Sequence, residues 1–136
     1  MKTHTSTHYS VTMPNAWEAE FDQEDECDVL YKPDGHGELC ISSVAHEEHL
    51  SSNDIKFIAE EDLHAGARFH EIDLGMFQGF WFDYEVDGAY WCEWYLACGR
   101  LMLFVTYTCP VDREGQENTD VDMIISTLSP DEKYRA

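Results

Sequence analysis

One segment constrains the fold of this chain more than any other, and it spans residues 77–108, FQGFWFDYEVDGAYWCEWYLACGRLMLFVTYT. Aromatic and β-branched residues are dense in this segment, and such residues favour β-strands. Asp87-Gly88 and Gly99-Arg100 divide the segment where the chain must reverse, and glycine takes the positive φ of a tight turn without strain. The segment therefore predicts three consecutive antiparallel strands.

The loop of the first hairpin determines which side chains share a face of the sheet. A three-residue loop ending at Gly88 places residues of equal parity on the same face. One face then carries Phe80, Phe82, Tyr84, Tyr90, Cys92 and Trp94. The opposite face mixes acids with aromatic rings, namely Trp81, Asp83, Glu85, Trp91, Glu93 and Tyr95. We expect this second face to bind a cationic partner through ion pairs and cation–π contacts.

The remaining strands are predicted from alternation and turn residues. Residues 101–108 are apolar on both parities apart from their threonines, which is typical of a central strand covered on both faces. A first strand over residues 9–13 is ended by Pro14, because proline cannot donate to a ladder. Residues 17–21 and 28–31 predict a hairpin, and residues 38–45 and 69–74 predict two further strands.

Two segments have helical rather than strand periodicity. The first covers residues 51–65, begins at a capping box formed by Ser51 and Asp54, and is expected to end at a left-handed Gly66. Its apolar stripe is Ile55, Ile58, Ala59 and Leu63, whereas Glu60, Glu61 and His64 point outward. The second helix is predicted to begin within residues 114–119 and to end before Pro130. Its apolar stripe is Val121, Ile124, Ile125 and Leu128.

Together these elements predict an α+β fold, a mainly antiparallel sheet of about six or seven strands with two helices packed on it in an α/β/α sandwich-like arrangement. Each helix has one apolar stripe that must be buried, and the strand over residues 101–108 offers an apolar side to both. The length of 136 residues suits a single domain, 1–136, and we expect the ordered core to span about residues 8–129.

The order of these elements resembles that of a known family. The first strand leads into Met13-Pro14-Asn15-Ala16-Trp17, the meander ends in LFVTYT at residues 103–108, and the last helix ends in IISTL at residues 124–128. These features resemble the PsbP-like fold family, whose members include the extrinsic photosystem II protein, a nuclear import factor that binds the GTPase Ran and small bacterial proteins. The resemblance covers residues 9–128. It implies a non-enzymatic binding or chaperone-like role, and no catalytic residues carry over.

The charge of the chain restricts its partners. The sequence has 28 Asp and Glu against 8 Lys and Arg, which gives a formal net charge of −20. Such a chain repels nucleic acids and anionic membranes and favours a basic protein. No apolar run is long enough for a membrane span or signal peptide, and the odd count of 5 cysteines without a Cys-x-x-Cys pair indicates free thiols in a reducing cytoplasm.

These observations favour a cytoplasmic, non-enzymatic protein without a cofactor whose acidic surface engages a basic protein partner, as an immunity protein or an effector chaperone does. The expected partner-binding residues are the six acidic and aromatic residues named above together with Glu60 and Glu61 on the first helix. The sequence does not predict the oligomeric state.

Three alternatives stay open at the level of sequence. Asp83 and Glu93, flanked by aromatic rings, would suit a sugar-cleaving hydrolase that uses one protonated and one ionised carboxyl group. His46 and His49 flank two glutamates and are candidate ligands for a metal-dependent enzyme, but their spacing is not that of the His-Glu-x-x-His motif. The acidity would also suit a protein adapted to high salt, in which case it has no bearing on partners.

Overall fold

The computed structural model describes residues 1–64 and 66–135, which form two antiparallel sheets and two α-helices. The large sheet has seven strands in the order β3-β4-β5-β9-β8-β7-β6, and the small sheet has the order β1-β2-β10. The first five strands are β1 (Lys2–Thr5), β2 (Tyr9–Met13), β3 (Glu18–Asp22), β4 (Cys27–Tyr31) and β5 (Glu38–Ala45). The others are β6 (His70–Asp73), β7 (Gln78–Val86), β8 (Ala89–Cys98), β9 (Leu101–Pro110) and β10 (Ser129–Pro130). The helices are α1 (Ser52–Asp62) and α2 (Asn118–Ser126).

This architecture confirms the predicted α+β fold with a mainly antiparallel sheet and two helices. The central strand is β9, which pairs with β5 on one side and with β8 on the other. Leu101, Leu103 and Val105 of β9 are buried under α2, and Met102 is buried under α1, so the strand is covered on both faces as its apolar parity predicts.

Each helix covers a different face of the large sheet. The α1 face packs Ile55 and Ala59 of the helix against Phe80, Phe82 and Tyr95. The α2 face is covered by α2 together with the small sheet. The helix contributes Val121, Ile124 and Ile125 to that core. The small sheet contributes Tyr9, Val11 and Met13 of β2. The strands β1 and β10, which the sequence patterns did not predict, hold β2 from both sides.

The turn between β7 and β8 has two residues, Asp87 and Gly88, with φ of 51° and 80°. Positive φ at both central residues is the geometry of a type I′ hairpin turn. The expected three-residue loop is therefore wrong. Val86 pairs with Ala89, so residues of opposite parity face each other across the hairpin.

Helix α1 begins as the sequence predicts and ends earlier. Asp54 N donates to Ser51 Oγ at 3.1 Å, and Ser51 N donates to Asp54 Oδ2 at 3.0 Å, which completes the capping box. These hydrogen bonds from Ser51 lower the pKa of Asp54. The helix stops at Asp62 with an extended Leu63, so the expected left-handed cap at Gly66 is wrong, although Gly66 itself has a φ of 88°.

Buried acids are satisfied by tyrosine hydroxyls in this protein. Asp28, Glu93 and Glu117 are the buried charged residues of the described part of the chain. Tyr9 Oη donates to Asp28, Tyr84 Oη donates to Glu93 at 2.5 Å, and Tyr107 Oη donates to Glu117 at 2.6 Å. In a chain with only 8 Lys and Arg, the buried carboxylates thus accept from tyrosine hydroxyls rather than from Lys or Arg, and His4 Nε2 also lies 3.3 Å from Asp28 Oδ2. Among the described residues, no helix is long and apolar enough to cross a membrane.

Candidate functional site: an aromatic, acid-lined cavity

A cavity of about 320 Å³ lies between α2 and one end of the large sheet. Three aromatic rings, those of Trp81, Tyr90 and Trp94, line it, together with the carboxyl groups of Asp83 and Asp122. The volume is at the lower end of the range of small-ligand sites, which also combine apolar walls with a few polar groups.

The hairpin and α2 together build this cavity. The β7–β8 register sets Trp81 opposite Trp94 and Asp83 opposite Cys92, and it brings all four side chains to the α2 face. Asn118, Val121 and Asp122 of α2 close the cavity from the other side. Because these three residues lie at positions i, i+3 and i+4, they share one face of the helix.

The polar groups of the cavity are arranged around Asp83. Tyr90 Oη donates to Asp83 Oδ2 at 2.9 Å, which leaves the other carboxylate oxygen of Asp83 free of that bond. Burial is the largest cause that raises the pKa of Tyr90, so its hydroxyl stays protonated and keeps donating. The carboxylate of Asp83 is thereby held in a fixed orientation on the cavity wall.

The thiol in the cavity is not a nucleophile at neutral pH. Burial, followed by the charge of Asp83, raises the pKa of Cys92, so the thiol stays protonated. Burial likewise raises the pKa of Cys27 to about 12. All five cysteines are free thiols, as their number and spacing predict.

The chemistry of this lining suits a cation. Aromatic faces attract ammonium and guanidinium groups, and carboxylates complete the neutralisation of the charge. No Lys, Arg or His is among the described residues that line the cavity. The ring of His70, which is not one of the lining residues, stacks on Trp81 with 4.3 Å between the ring centroids and so holds the indole in place.

The structure divides the predicted acidic aromatic face between two sides of the sheet. Trp81 and Asp83 line the cavity, and Glu85 lies on the same α2 face. Trp91, Glu93 and Tyr95 lie on the α1 face instead, because the two-residue turn reverses the parity of β8 relative to β7. The shared face predicted from the sequence is therefore wrong, although three of its six residues do lie together.

The α1 face uses its acids to hold α1 against the sheet. Tyr95 Oη lies 2.9 Å from Asp62 Oδ2 at the end of α1 and 3.1 Å from Glu93 Oε1. Glu93 is buried and lies next to the hydroxyls of Tyr84 and Tyr95. Glu60 and Glu61, in contrast, are exposed on the outer side of α1. The carboxylate of Glu93 thus helps to hold two tyrosine side chains on the α1 face, whereas Glu60 and Glu61 belong to the charged outer surface.

The carboxylate pair proposed from the sequence is not formed. Asp83 lies on the α2 face and Glu93 on the α1 face, so the sheet itself separates the two groups. A glycosidase-like pair requires both carboxyl groups on the same side of one substrate. The prediction that these acids lie on one face is wrong, and the hydrolase site that requires both acids is therefore not present.

The two candidate metal ligands lie in the loop that joins β5 to α1. His46 N donates to Arg100 O at 2.8 Å, and the guanidinium group of Arg100 donates to His46 O at 3.1 Å. His49 is exposed beside Glu48. Among residues 1–64 and 66–135, no group of three or more His, Cys, Asp and Glu side chains converges as a metal site would require.

Several cavity residues were not predicted as site residues. Tyr90 and Trp94 were assigned to the opposite face because of the assumed loop length, and Asp122 is not among the predicted partner-binding residues. A two-residue reading of Asp87-Gly88 would have brought both rings to Asp83. A signal for Asp122 was present in the helical spacing. Asp122 and Asn118 lie at positions i+4 and i relative to each other, on the same side of α2 as Val121 of the apolar stripe.

Comparison with solved structures identifies the architecture. Fourteen solved chains match this structure. One is the solution structure of cyanobacterial PsbP (CyanoP) from Synechocystis sp. PCC 6803, which matches with a TM-score of 0.65 over 96% of this chain and 92% of that chain at 12% sequence identity. This chain has a PsbP-like fold.

A second match is a crystal structure from Bacteroides thetaiotaomicron VPI-5482, with a TM-score of 0.66 and 19% identity. The match covers 92% of this chain and 46% of that one, so the PsbP-like chain spans less than half the length of its Bacteroides counterpart. No family model matches the sequence, and no curated protein matches it. The PsbP-like resemblance predicted from the sequence is thereby confirmed at the level of the fold.

Proposed function

We propose that this protein is a non-enzymatic binding domain that engages a basic protein partner, and that the cavity receives a lysine or arginine side chain of that partner. The observation that carries the proposal is the convergence of Trp81, Tyr90 and Trp94 with two carboxyl groups in one cavity. A cation held there gains contacts with aromatic faces and with carboxylates at the same time.

The charge of the whole chain supports the same reading. A net charge of −20 attracts a basic protein at long range and accelerates encounter, whereas the cavity supplies a specific anchor for one side chain. Binding hot spots combine a central anchor in a pocket with a surrounding polar surface. Neutralising a basic toxin and escorting a basic effector are two roles that such a domain would serve.

The first experiment tests the cavity with small probes. N-acetyl-lysine amide and N-acetyl-arginine amide are titrated into the protein, and binding is followed through tryptophan fluorescence and the indole N–H signals of Trp81 and Trp94. The uncharged control is N-acetyl-norleucine amide, which keeps the alkyl chain of lysine. We expect the charged probes to bind at least about 10-fold more tightly, because only they gain the cation–π and carboxylate contacts.

Matched variants show whether the charged probes bind through the cavity or through the general negative charge of the protein. Asp122→Asn removes one carboxylate from the cavity wall, and Glu47→Gln removes the same charge from an exposed loop. We expect D122N to weaken the charged probes by about 10-fold and E47Q by less than about 2-fold. Equal effects of the two variants, or equal binding of norleucine and lysine amides, would refute the cavity as a cation site.

The partner itself is sought by pull-down from native lysate at low and moderate salt. Wild-type protein is compared with D122N, and retained proteins are identified by mass spectrometry. A basic protein that is retained by the wild type and depleted on D122N supports the proposal. Recovery of no basic protein at either salt concentration would contradict it.

A further inference from the structure

The cavity lies beside a free edge of the large sheet. β6 is the last strand of the order β3-β4-β5-β9-β8-β7-β6 and pairs only with β7 among the described residues. A free edge presents backbone N–H and C=O groups that another extended chain can pair with.

The register identifies which backbone groups of β6 face outward. Leu74 N donates to Phe77 O at 2.8 Å, and these two residues extend the β6–β7 register by one step beyond the pair Asp73 and Gln78. Hydrogen-bonded and non-hydrogen-bonded pairs alternate in an antiparallel ladder, so Ile72 and His70 direct their backbone groups toward β7. The backbone groups of Glu71 and Asp73 therefore point to the free edge.

Recesses lie on both sides of this edge. On the α2 face, the aromatic cavity is bordered by Ile72 of β6. On the α1 face, a second recess of about 360 Å³ is lined by Glu71 and Asp73 together with Ser52 at the start of α1. Since successive side chains of a strand point to opposite faces, a strand added to β6 would direct its side chains alternately toward the two recesses.

The carboxylates on both sides of the β6 edge determine the charge of a strand that can pair with it. The cavity carries Asp83 and Asp122, and the second recess carries Glu71 and Asp73. An acidic strand is repelled from both, and a second copy of this chain would bring another net charge of −20 to the edge. A segment with lysine or arginine on both faces meets carboxylates on each side.

We propose that the partner binds as an extended basic segment that pairs with the free edge of β6, with its main chain bonded to Glu71 and Asp73 and one basic side chain entering the aromatic cavity. This inference rests on the proposed function and adds the mode of docking. Main-chain hydrogen bonds provide the affinity in such an arrangement, and the two recesses provide the selectivity for basic side chains.

Peptide probes test the backbone part of the proposal. The probe is a fluorescently labelled seven-residue peptide of lysine, threonine and valine with lysine on both faces. One analogue is N-methylated at alternate residues, which blocks one edge of the strand, and a second is N-methylated along both edges. We expect the singly blocked peptide to bind within about 3-fold of the parent, because it can pair through its other edge, and the doubly blocked peptide to lose at least about 10-fold.

A pair of protein variants tests the same edge from the other side. Asp73→Ala and Asp73→Pro both remove the carboxylate, but only D73P removes the outward N–H. Proline is tolerated at an edge position whose N–H is unpaired, and circular dichroism checks that both variants fold. We expect D73P to bind the parent peptide about 5- to 10-fold more weakly than D73A, because one hydrogen bond is lost.

The outcomes separate this inference from the proposed function. Equal binding of the parent and doubly blocked peptides, equal binding by D73A and D73P, or no binding of the parent peptide would each overturn strand docking. N-acetyl-lysine amide reaches the cavity without pairing to β6, so we expect its affinity to be the same for D73A and D73P. If that small probe binds and the peptide tests fail, the cavity remains a cation site and only the proposal of strand pairing at β6 is refuted.

Discussion

Tyr107 and Glu117 connect the central strand of the sheet to the start of α2 through a buried hydrogen bond of 2.6 Å between Tyr107 Oη and Glu117 Oε1. The same carboxylate accepts the N–H of Gly37 at 2.9 Å and that of His36 at 3.3 Å. One side chain thus joins β9, α2 and the loop before β5. A Cβ atom at Gly37 would collide with the tyrosine hydroxyl, which explains why the loop has glycine there.

Removal of Glu117 should destabilise the protein strongly. Glu117→Ala leaves a buried hydroxyl and two backbone N–H groups without an acceptor, and we expect the free energy of unfolding to fall by about 2–4 kcal/mol. Tyr107→Phe removes one donor and leaves the backbone bonds in place, so we expect a loss of about 1–2 kcal/mol. Urea denaturation followed by circular dichroism measures both. Equal losses for the two variants would contradict a role for Glu117 in holding the loop.

Stability should decrease in alkaline solution because of the buried tyrosines. Burial is the largest cause that raises the pKa of Tyr9, Tyr84, Tyr90, Tyr95 and Tyr107. A raised pKa in the folded state means that the folded protein keeps a proton that the unfolded chain releases near pH 10. The stabilisation that these tyrosines contribute to the folded state is therefore complete below about pH 10 and is lost progressively above it.

Absorbance at 295 nm checks this prediction because it reports tyrosine ionisation. We expect these five tyrosines to ionise above pH 10 together with unfolding, and to titrate near pH 10 in urea. Ionisation of all tyrosines near pH 10 while the circular dichroism remains native would show that the hydroxyls are not held by their carboxylates.

The hairpin between β7 and β8 depends on the left-handed conformation of its turn. Gly88 has a φ of 80°, and replacing it with valine forces a β-branched residue into that conformation. We expect Gly88→Val to lower the free energy of unfolding by about 1–3 kcal/mol. Asp87→Asn is the control, because asparagine also adopts positive φ readily, and should change stability by less than about 0.5 kcal/mol. Thermal melts of both variants provide the comparison.

Repulsion between acids should affect stability at low salt. A hydrogen-bonding contact with Glu85 is the largest cause that raises the pKa of Glu114, so at neutral pH the two ionised groups repel each other. We expect Glu114→Gln to raise the Tm by about 1–3 °C at low salt and by less in 0.5 M NaCl, since exposed charges are screened. Glu47→Gln is the matched control.

The wild-type salt dependence also tests the remaining alternative from the sequence. Adaptation to high salt predicts a Tm that rises steeply up to molar salt, because screening relieves the repulsion of the whole chain. If the Tm is instead indifferent to salt, and E114Q behaves like E47Q, then the acids do not limit stability and the high-salt explanation fails.

Local patterns predicted both helices and the strands β2 to β9 but not the strands β1 and β10, and the length of one turn determined which side chains share a face. β2 and β5 have the predicted bounds, because Pro14 and the glycines before Glu38 mark their ends. A two-residue turn at Asp87-Gly88, in place of the predicted three-residue loop, nevertheless puts three of the six hairpin residues of the predicted face on the other side of the sheet. Asp-Gly is a preferred pair for a two-residue type I′ turn, so the residue preferences favour the shorter loop that the structure has.

The cavity was harder to predict because it depends on contacts far apart in the sequence. Asp122 lines it together with Asp83, and the relative position of α2 and the hairpin determines that they meet. The buried bond between Tyr107 and Glu117 joins β9 to the start of α2 and so fixes that helix on the sheet. Apolar periodicity identifies which stripe of a helix is buried, but it does not determine where along the sheet the helix lies.

Both edges of the large sheet carry acidic side chains, Glu18 and Glu20 on β3 and Glu71 and Asp73 on β6. Charged edges oppose the strand-to-strand association that leads to fibres. The net charge that keeps copies of this chain apart vanishes near its isoelectric point of about 4.3, while the hydrogen-bonding groups of the edges remain. We therefore expect mildly acidic buffer, rather than heat or high concentration, to be the condition under which this protein begins to form cross-β aggregates.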